Sequence, residues 1–165
     1  MRTRRSATAA GDAAGQAARR SAYDKALGML ARREHSRHEI ESRLARDGYP
    51  ADEVETALAA LLEAGYQSNT RFAEMLVRSR VRQGYGPQRL RAELRAHRIA
   101  DELVDTCLAD AEADWLEQAR EQLHRRYGGQ GPRDYRERVK RMQFLVRRGF
   151  SSATAHAATA PDDAG

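Results

Sequence analysis

The sequence predicts an all-α protein built from three tandem three-helix repeats, each similar to a helix-turn-helix module, in an elongated and curved arrangement. Apolar residues recur at the three-to-four spacing of one helix face through most of the chain. Glycine and proline divide these stretches into short helices. The apolar positions also recur when the sequence is shifted by 50 residues. No stretch alternates apolar and polar residues convincingly, so we expect no sheet.

The composition favours several thin cores over one large core. The chain has 165 residues, a formal net charge of +5 and 32% charged residues, whereas Leu, Ile, Val and Phe together number only 25. A single cysteine, Cys107, excludes an internal disulfide and a Cys-rich zinc site. No apolar stretch approaches the roughly 18–20 residues of a membrane span, and no secretory signal is present, so we expect a cytoplasmic protein.

Both ends of the chain are predicted to be disordered. Residues 1–20 combine Ala, Gly and Arg without hydrophobic periodicity, which indicates a disordered basic arm. The tail at residues 159–165 is expected to be a frayed end. We therefore assign the three repeats to residues 21–66, 67–112 and 113–158.

In the first repeat, helix boundary signals separate three apolar faces. Ser36 and Glu39 form a capping-box signature at the start of the second helix, and Gly48 stands where that helix stops. Pro50 opens the third helix and Gly65 ends it. The three apolar faces comprise Ala22, Ala26, Leu27, Leu30 and Ala31; Ile40 and Leu44; and Val54, Ala57, Leu58, Leu61 and Leu62.

The second repeat follows the same plan. Asn69 or Thr70 is expected to cap its first helix, which stops at Gly84-Tyr85-Gly86, and Pro87 suits the first turn of the next helix. Its apolar faces comprise Phe72, Leu76 or Val77, and Val81; Leu90 and Leu94; and, after Ile99, Leu103, Val104, Cys107 and Leu108.

The third repeat is a weaker copy. The shift of 50 residues pairs Ile40 with Leu90, Leu44 with Leu94, Tyr49 with Ile99, Val54 with Val104 and Leu58 with Leu108. A shift of 101 pairs Leu44 with Leu145, Gly48 with Gly149 and Tyr49 with Phe150. The helices of this copy are predicted around Trp115, Leu116, Ala119 and Leu123; around Tyr135, Val139, Met142 and Leu145 after a loop at 128–132; and over 151–158.

Charge is sorted within the repeats. Residues 52–63 hold four acids and residues 101–112 hold five, with no base in either segment. By contrast, residues 69–98 hold eight arginines against two acids, and residues 120–148 hold ten bases against three. Alternating basic and acidic bands suit a nucleoprotein surface, whereas ordinary solvated helix faces with i,i+4 pairs are the plainer interpretation.

The sequence shows no motif for catalysis or for a cofactor. Of the five histidines, His35 and His38 are three residues apart, but no third ligand lies at helical spacing. Neither glycine-rich turn carries the Lys-Ser/Thr of a phosphate-binding loop. Cys107 lies on an apolar helix face and is expected to be a small core residue. We therefore predict no enzyme, no catalytic residue, no metal and no cofactor.

The strongest functional signal in the residues themselves is a cluster of basic side chains in the second repeat. Arg78, Arg80 and Arg82 end one predicted helix, and Arg89, Arg91, Arg95 and Arg98 line the next. Arginines beside an aromatic side chain suit phosphate contact and occasional base stacking. Packing of Tyr85 against the turn is the alternative that we favour for this side chain. No base-reading pattern is present, so DNA contact should be mostly sequence-independent.

Several stretches resemble the RecX family of bacterial recombination regulators. They are ALGMLARREHSRHEIESRL (26–44), LLEAGYQSNTRFAE (61–74), VRSRVRQGYGPQRLRAEL (77–94) and FLVRRGFS (144–151), in the order and spacing of the family. Asn69 and Leu90 stand where the family commonly has Asp and Ile. Both departures are mild, because Asn can still cap a helix and Leu can still pack.

The resemblance implies three tandem three-helix repeats and a non-enzymatic function. RecX-like proteins lie along the groove of the RecA–DNA filament, suppress its extension and so inhibit strand exchange, ATP hydrolysis and co-protease activity, which links them to DNA repair and the SOS response. We therefore expect a monomer that contacts the RecA filament and single- and double-stranded DNA, with no membrane partner. The candidate contact residues are Arg78, Arg80, Arg82, Tyr85, Arg89, Arg91, Arg95, Arg98, Arg125, Arg126, Arg138, Lys140, Arg141, Arg147 and Arg148.

One alternative stays open from the sequence. A single three-helix module could act as a helix-turn-helix in a stand-alone DNA-binding regulator. Strong, sequence-selective binding to short duplex DNA without RecA would favour that function over RecA modulation.

Overall fold

The computed structural model describes residues 20–161, which form nine α-helices and no strand. Almost all of the predicted basic arm, residues 1–19, and residues 162–165 of the predicted tail lie outside the described residues. The helices are α1 (Ala22–Leu30), α2 (Arg37–Arg46), α3 (Ala51–Glu63), α4 (Asn69–Arg82), α5 (Pro87–Ala96), α6 (Asp101–Asp110), α7 (Trp115–Tyr127), α8 (Tyr135–Arg147) and α9 (Ser152–Ala158). The prediction of an all-α chain of three-helix repeats is confirmed.

The chain divides into two compact units. The first contains the described residues up to His35 together with Glu39–Gln67, and the second contains Ser36–His38 and the described residues from Ser68 onwards. In the first unit, α1 packs against α3, and α2 adds Ile40 and Leu44 to the same small core. Both side chains are fully buried.

The second unit contains two cores, one for each of its three-helix groups. Phe72 of α4, Leu90 and Leu94 of α5 and Val104 of α6 form the first core. Cys107 is buried among them, as the sequence predicts, and burial raises the pKa of its thiol. The buried members of the second core are Ala119, Leu123, Leu145, Phe150 and Ala155.

The structure corrects the predicted cap of α4. Ser68, rather than Asn69 or Thr70, is the N-cap: its backbone is extended, and its side-chain oxygen accepts a hydrogen bond from the backbone N–H of Arg71. The side chain of Asn69 instead accepts a hydrogen bond from the backbone N–H of Arg37 at 2.9 Å. Both residue types can cap a helix, but here the side chain of Asn69 is engaged by Arg37.

In the third repeat the structure departs from two further expectations. Tyr135 is predicted on the apolar face of its helix, yet its side chain is 80% exposed, because Leu145 and Arg141 form the buried side of α8. Thr159 is predicted to begin a frayed tail, yet it is buried and its hydroxyl donates to the carbonyl of Ala155 at 2.9 Å. That hydrogen bond satisfies a free carbonyl at the end of α9.

Candidate DNA and protein interface

The last turns of α4 present two exposed arginines on one helix face. Arg78 and Arg82 are four residues apart, and neither forms an ion pair among the described residues. Arg80 lies between them and is half-buried, and its Nε donates to Glu93 Oε2 at 2.8 Å. Arg89 Nε donates to the other oxygen of Glu93 at 3.0 Å. Glu93 therefore links α4 to α5 and leaves Arg78 and Arg82 available for phosphate contact.

The acidic helix α6 partly neutralises α5. Arg91 pairs with Asp105, and Arg95 Nε donates to Asp101 Oδ1 at 2.9 Å. Both aspartates are about two-thirds exposed, and ion pairs this exposed contribute only about 0–1 kcal/mol. Arg91 and Arg95 can therefore exchange these carboxylates for a phosphate at little cost.

Tyr85 lies between two cationic side chains at the turn from α4 to α5. The guanidinium carbons of Arg89 and Arg148 lie 4.0 Å and 4.2 Å from the centre of its ring. Contacts this close are attractive because the ring face is electron-rich. A nucleic-acid base could stack on Tyr85 only by displacing one of these arginines, so the geometry favours the packing interpretation.

The same turn is a joint between two repeats of the second unit. The backbone N–H groups of Gly86 and Gln88 donate to the carbonyls of Arg148 and Gly149, both at 2.9 Å. A Cβ on Gly86 would lie 2.4 Å from the carbonyl carbon of Gly149, so only glycine fits without movement. The side chain of Arg148 donates to the carbonyl of Gln83 across the joint. Gly86 therefore allows a close approach of the two backbones.

The third repeat adds exposed bases from α7 and α8. Lys140 and Arg147 are exposed and have no ion pair among the described residues. The guanidinium carbon of Arg126 lies 4.8 Å from the centre of the Phe144 ring. The guanidinium of Arg125 lies 4.0 Å from the carboxylate of Glu121, which makes a weak ion pair. These side chains can reach an anionic partner.

Arg141 has a structural position instead. Its side chain is 5% exposed, and its guanidinium donates to the carbonyl of Gln130 at 2.7 Å and to Glu137 at 2.9 Å. It thereby ties the 128–132 loop to α8. The backbone N–H of Arg133 and the guanidiniums of Arg141 and Arg133 together lower the pKa of Glu137 to about 2.

Sequence reasoning missed a basic concavity in the first unit. A cavity of about 780 Å³ is lined by five cationic side chains, Arg20, Lys25, Arg32, Arg33 and Arg43. Asp47 forms ion pairs with Lys25 and Arg43, and the hydrogen bond from Lys25 is the main cause of its lowered pKa. Residues 20–47 hold seven bases against five acids, so the local charge excess is too small to mark the cavity in the sequence.

Among residues 20–161, no group of three or more His, Cys, Asp and Glu side chains could hold a metal ion. Nor is any helix in that range long and apolar enough to cross a membrane.

Comparison with known proteins agrees with the three-helix organisation. Family models described as the first, second and third three-helix domains of RecX match residues 22–61, 68–108 and 112–159. A protein of Halorhodospira halophila named "Regulatory protein RecX" is 48% identical over 147 residues, covering 89% of this chain and 91% of the relative. A Xanthomonas axonopodis protein of the same name is 44% identical over 82% of this chain and 83% of the relative.

Two solved structures share the fold. One, titled "Crystal structure of regulatory protein RecX", has a TM-score of 0.69 and 27% identity and covers 81% of this chain and 67% of its own. The RecX structure from Lactobacillus salivarius has a TM-score of 0.68 and 24% identity and covers 83% and 91% of the two chains. The similar proteins are named as regulatory proteins and not as enzymes. From its three matched domains and its 48% identity to such a protein, the chain belongs to the RecX family of regulatory proteins.

Proposed function

We propose that this chain is a non-enzymatic negative modulator of RecA. It binds as a monomer in the groove of the RecA–DNA filament in the cytoplasm and blocks filament extension. ATP hydrolysis, strand exchange and co-protease activity then fall because fewer RecA subunits are assembled on DNA. Family membership supports the regulatory role, and the exposed bases support contact with the anionic filament.

The observation that carries the proposal is the set of exposed bases without ion pairs in the second unit. Arg78 and Arg82 on α4 and Lys140 and Arg147 on α8 are of this kind among the described residues. Several weak contacts from one compact unit add as avidity, because the second contact forms at high effective concentration. Such contacts to phosphate are independent of base sequence and sensitive to salt.

The stand-alone helix-turn-helix alternative fits the charges less well. In that motif the last helix enters the DNA major groove. Here α3 and α6, the third helices of the first two repeats, carry acids and no bases. Their carboxylates would face phosphates unfavourably, whereas the helical bases of the second and third repeats lie on α4, α5, α7 and α8.

The double variant Arg78→Glu/Arg82→Glu tests the proposal. Both side chains are exposed and unpaired, so their reversal should leave the fold intact and remove contact with the filament. We expect the concentration for half-inhibition of the RecA ATPase on single-stranded DNA to rise about tenfold or more, which corresponds to about 1.4 kcal/mol.

Arg46→Glu is the matched control, since Arg46 is an exposed arginine in the last turn of α2. It should inhibit like the unaltered chain. Equal inhibition by the double variant and the control, with both folded by circular dichroism, contradicts the assignment of Arg78 and Arg82. Strong sequence-selective binding to duplex DNA without RecA supports the helix-turn-helix alternative.

A further inference from the structure

The exposed face of α8 carries an apolar seam at coiled-coil spacing. Tyr135, Val139, Met142 and Val146 follow one another at intervals of four, three and four residues. Tyr135 is 80% exposed and Val146 47% exposed, while Val139 and Met142 are half-buried. This interval pattern places apolar side chains in one line along a helix, as in the contact line of paired helices.

A concave wall accompanies the seam. Ser152 and His156 of α9 line the same groove, whose volume is about 430 Å³. A groove between two helices accepts the ridge of a third helix, whereas a flat lipid surface would contact only its edges. The shape therefore favours a helical occupant.

The charges beside the seam are all positive. Arg136 and Arg138 occupy the two positions that flank the seam in its first heptad, and Arg147 stands at its far end. The single acid of α8, Glu137, lies on the inner side of the helix, where Arg141 and Arg133 bind it. Flanking charges decide which partner a helix pairs with, so this face selects acidic flanks.

We propose that the groove between α8 and α9 is a docking site for an acidic amphipathic α-helix of a protein partner, with apolar residues at heptad spacing and Asp or Glu beside them. Nucleic acid fits less well, because Tyr135 is the only aromatic side chain of the seam and the other three members are aliphatic. This site goes beyond the proposed inhibition of RecA and does not depend on which protein carries the helix.

A synthetic peptide tests the site with the full chain alone, in the absence of RecA and DNA. The probe is a fluorescently labelled three-heptad helix with Leu at the core positions and Glu at the flanking positions. Fluorescence anisotropy should show saturable binding. Val146→Glu and Tyr135→Ser should each weaken it about tenfold or more, because both side chains are exposed and contribute to the seam.

A charge exchange tests the selectivity. Arg136→Glu/Arg138→Glu should weaken binding of the Glu-flanked peptide and strengthen binding of a matched Lys-flanked peptide, which the unaltered chain should bind at least tenfold more weakly. Leu62→Glu is the control, because Leu62 is similarly exposed, at 53%, on the acidic helix α3 of the other unit. It should leave peptide binding unchanged.

Three results would overturn the proposal. The first is equal binding of the Glu- and Lys-flanked peptides by the unaltered chain. The second is peptide binding that survives Val146→Glu and Tyr135→Ser in folded protein. The third is the absence of peptide binding combined with binding of phosphatidylglycerol vesicles or of a thymidine oligonucleotide. If Val146→Glu abolishes that binding, the groove is a site for lipid or for nucleic acid.

Discussion

The second residue past the end of the middle helix of each repeat has a left-handed backbone, and its identity differs between repeats. Gly48 and Gly149 have φ values of 81° and 97°, whereas Arg98 has φ 56°. Glycine adopts this conformation without strain, but a residue with a Cβ pays roughly 1–2 kcal/mol. The second repeat therefore contains local strain that the other two avoid.

Arg98→Gly should stabilise the protein by about 0.5–1 kcal/mol, since it removes this strain. Glycine also raises the conformational entropy of the unfolded chain, which offsets part of the stabilisation. Urea unfolding followed by circular dichroism measures the difference. Arg98→Ala is the control, because it removes the same charge and keeps the Cβ. If Arg98→Gly is no more stable than Arg98→Ala, the left-handed backbone at this position does not strain the folded protein.

Glu137 makes the third repeat sensitive to acid. Its pKa of about 2 in the folded protein lies below the ordinary value of 4.5. A lowered folded-state pKa contributes stability that is present above about pH 4.5 and is lost as the pH falls towards 2. We expect the urea midpoint to fall over that window, and Glu137→Gln to reduce the slope of this fall. An identical pH dependence in both proteins contradicts the assignment.

For a single residue, its place in the helical repeat is easier to predict from the sequence than the groups that its side chain contacts. The shift of 50 residues pairs Arg98 with Gly48, so the left-handed site is visible in the sequence. Nothing in the sequence separates Arg141, which is buried against the 128–132 loop, from the exposed Lys140 beside it. Burial of an arginine depends on a loop whose path the apolar periodicity does not describe.

At the scale of the helices, the apolar periodicity and the glycine and proline signals predict all nine helices that residues 20–161 form. The orientation of α8 is not predicted, because Tyr135, Val139, Met142 and Leu145 all look like members of one buried face. In the structure Leu145 and Phe144 turn towards α7 and α9, and Tyr135 faces outwards. A helix with apolar residues on two sides leaves that choice to its neighbours.

Between helices, the joint around Gly86 makes a sharp prediction. Gly86→Ala should destabilise the protein by about 1–3 kcal/mol, because its Cβ would overlap the backbone at Gly149. Gly28→Ala is the matched control: nothing lies within 4 Å of a Cβ there, and α1 should gain about 0.5–1 kcal/mol of stability. Denaturant unfolding measures both, and a harmless Gly86→Ala contradicts the close-approach argument.

On the scale of the whole molecule, the nearly balanced net charge conceals strong local differences. Arginines crowd α4, α5 and α8, while α3 and α6 carry acids alone. The sequence shows this sorting directly. What it does not show is that α6 neutralises Arg91 and Arg95, or that acids scattered along the first repeat conceal its basic concavity.

Reversing Arg89, Arg91 and Arg95 to Glu should weaken filament inhibition more than Arg78→Glu/Arg82→Glu does, because it reverses three charges and leaves Asp101 and Asp105 without their arginine partners. Half-inhibition of the RecA ATPase measures the effect. Arg91→Lys/Arg95→Lys keeps the charge and should retain most of the inhibition. Unchanged inhibition by the folded triple variant would remove α5 from the interface.

On our proposal, this chain stops RecA filaments from growing. The most direct test is the rate of ATP hydrolysis by RecA on single-stranded DNA, titrated with the chain at ratios well below one per RecA. Because one blocked filament removes many subunits from the reaction, we expect strong inhibition at such ratios. No inhibition, or inhibition only when the chain equals or exceeds RecA, would contradict it.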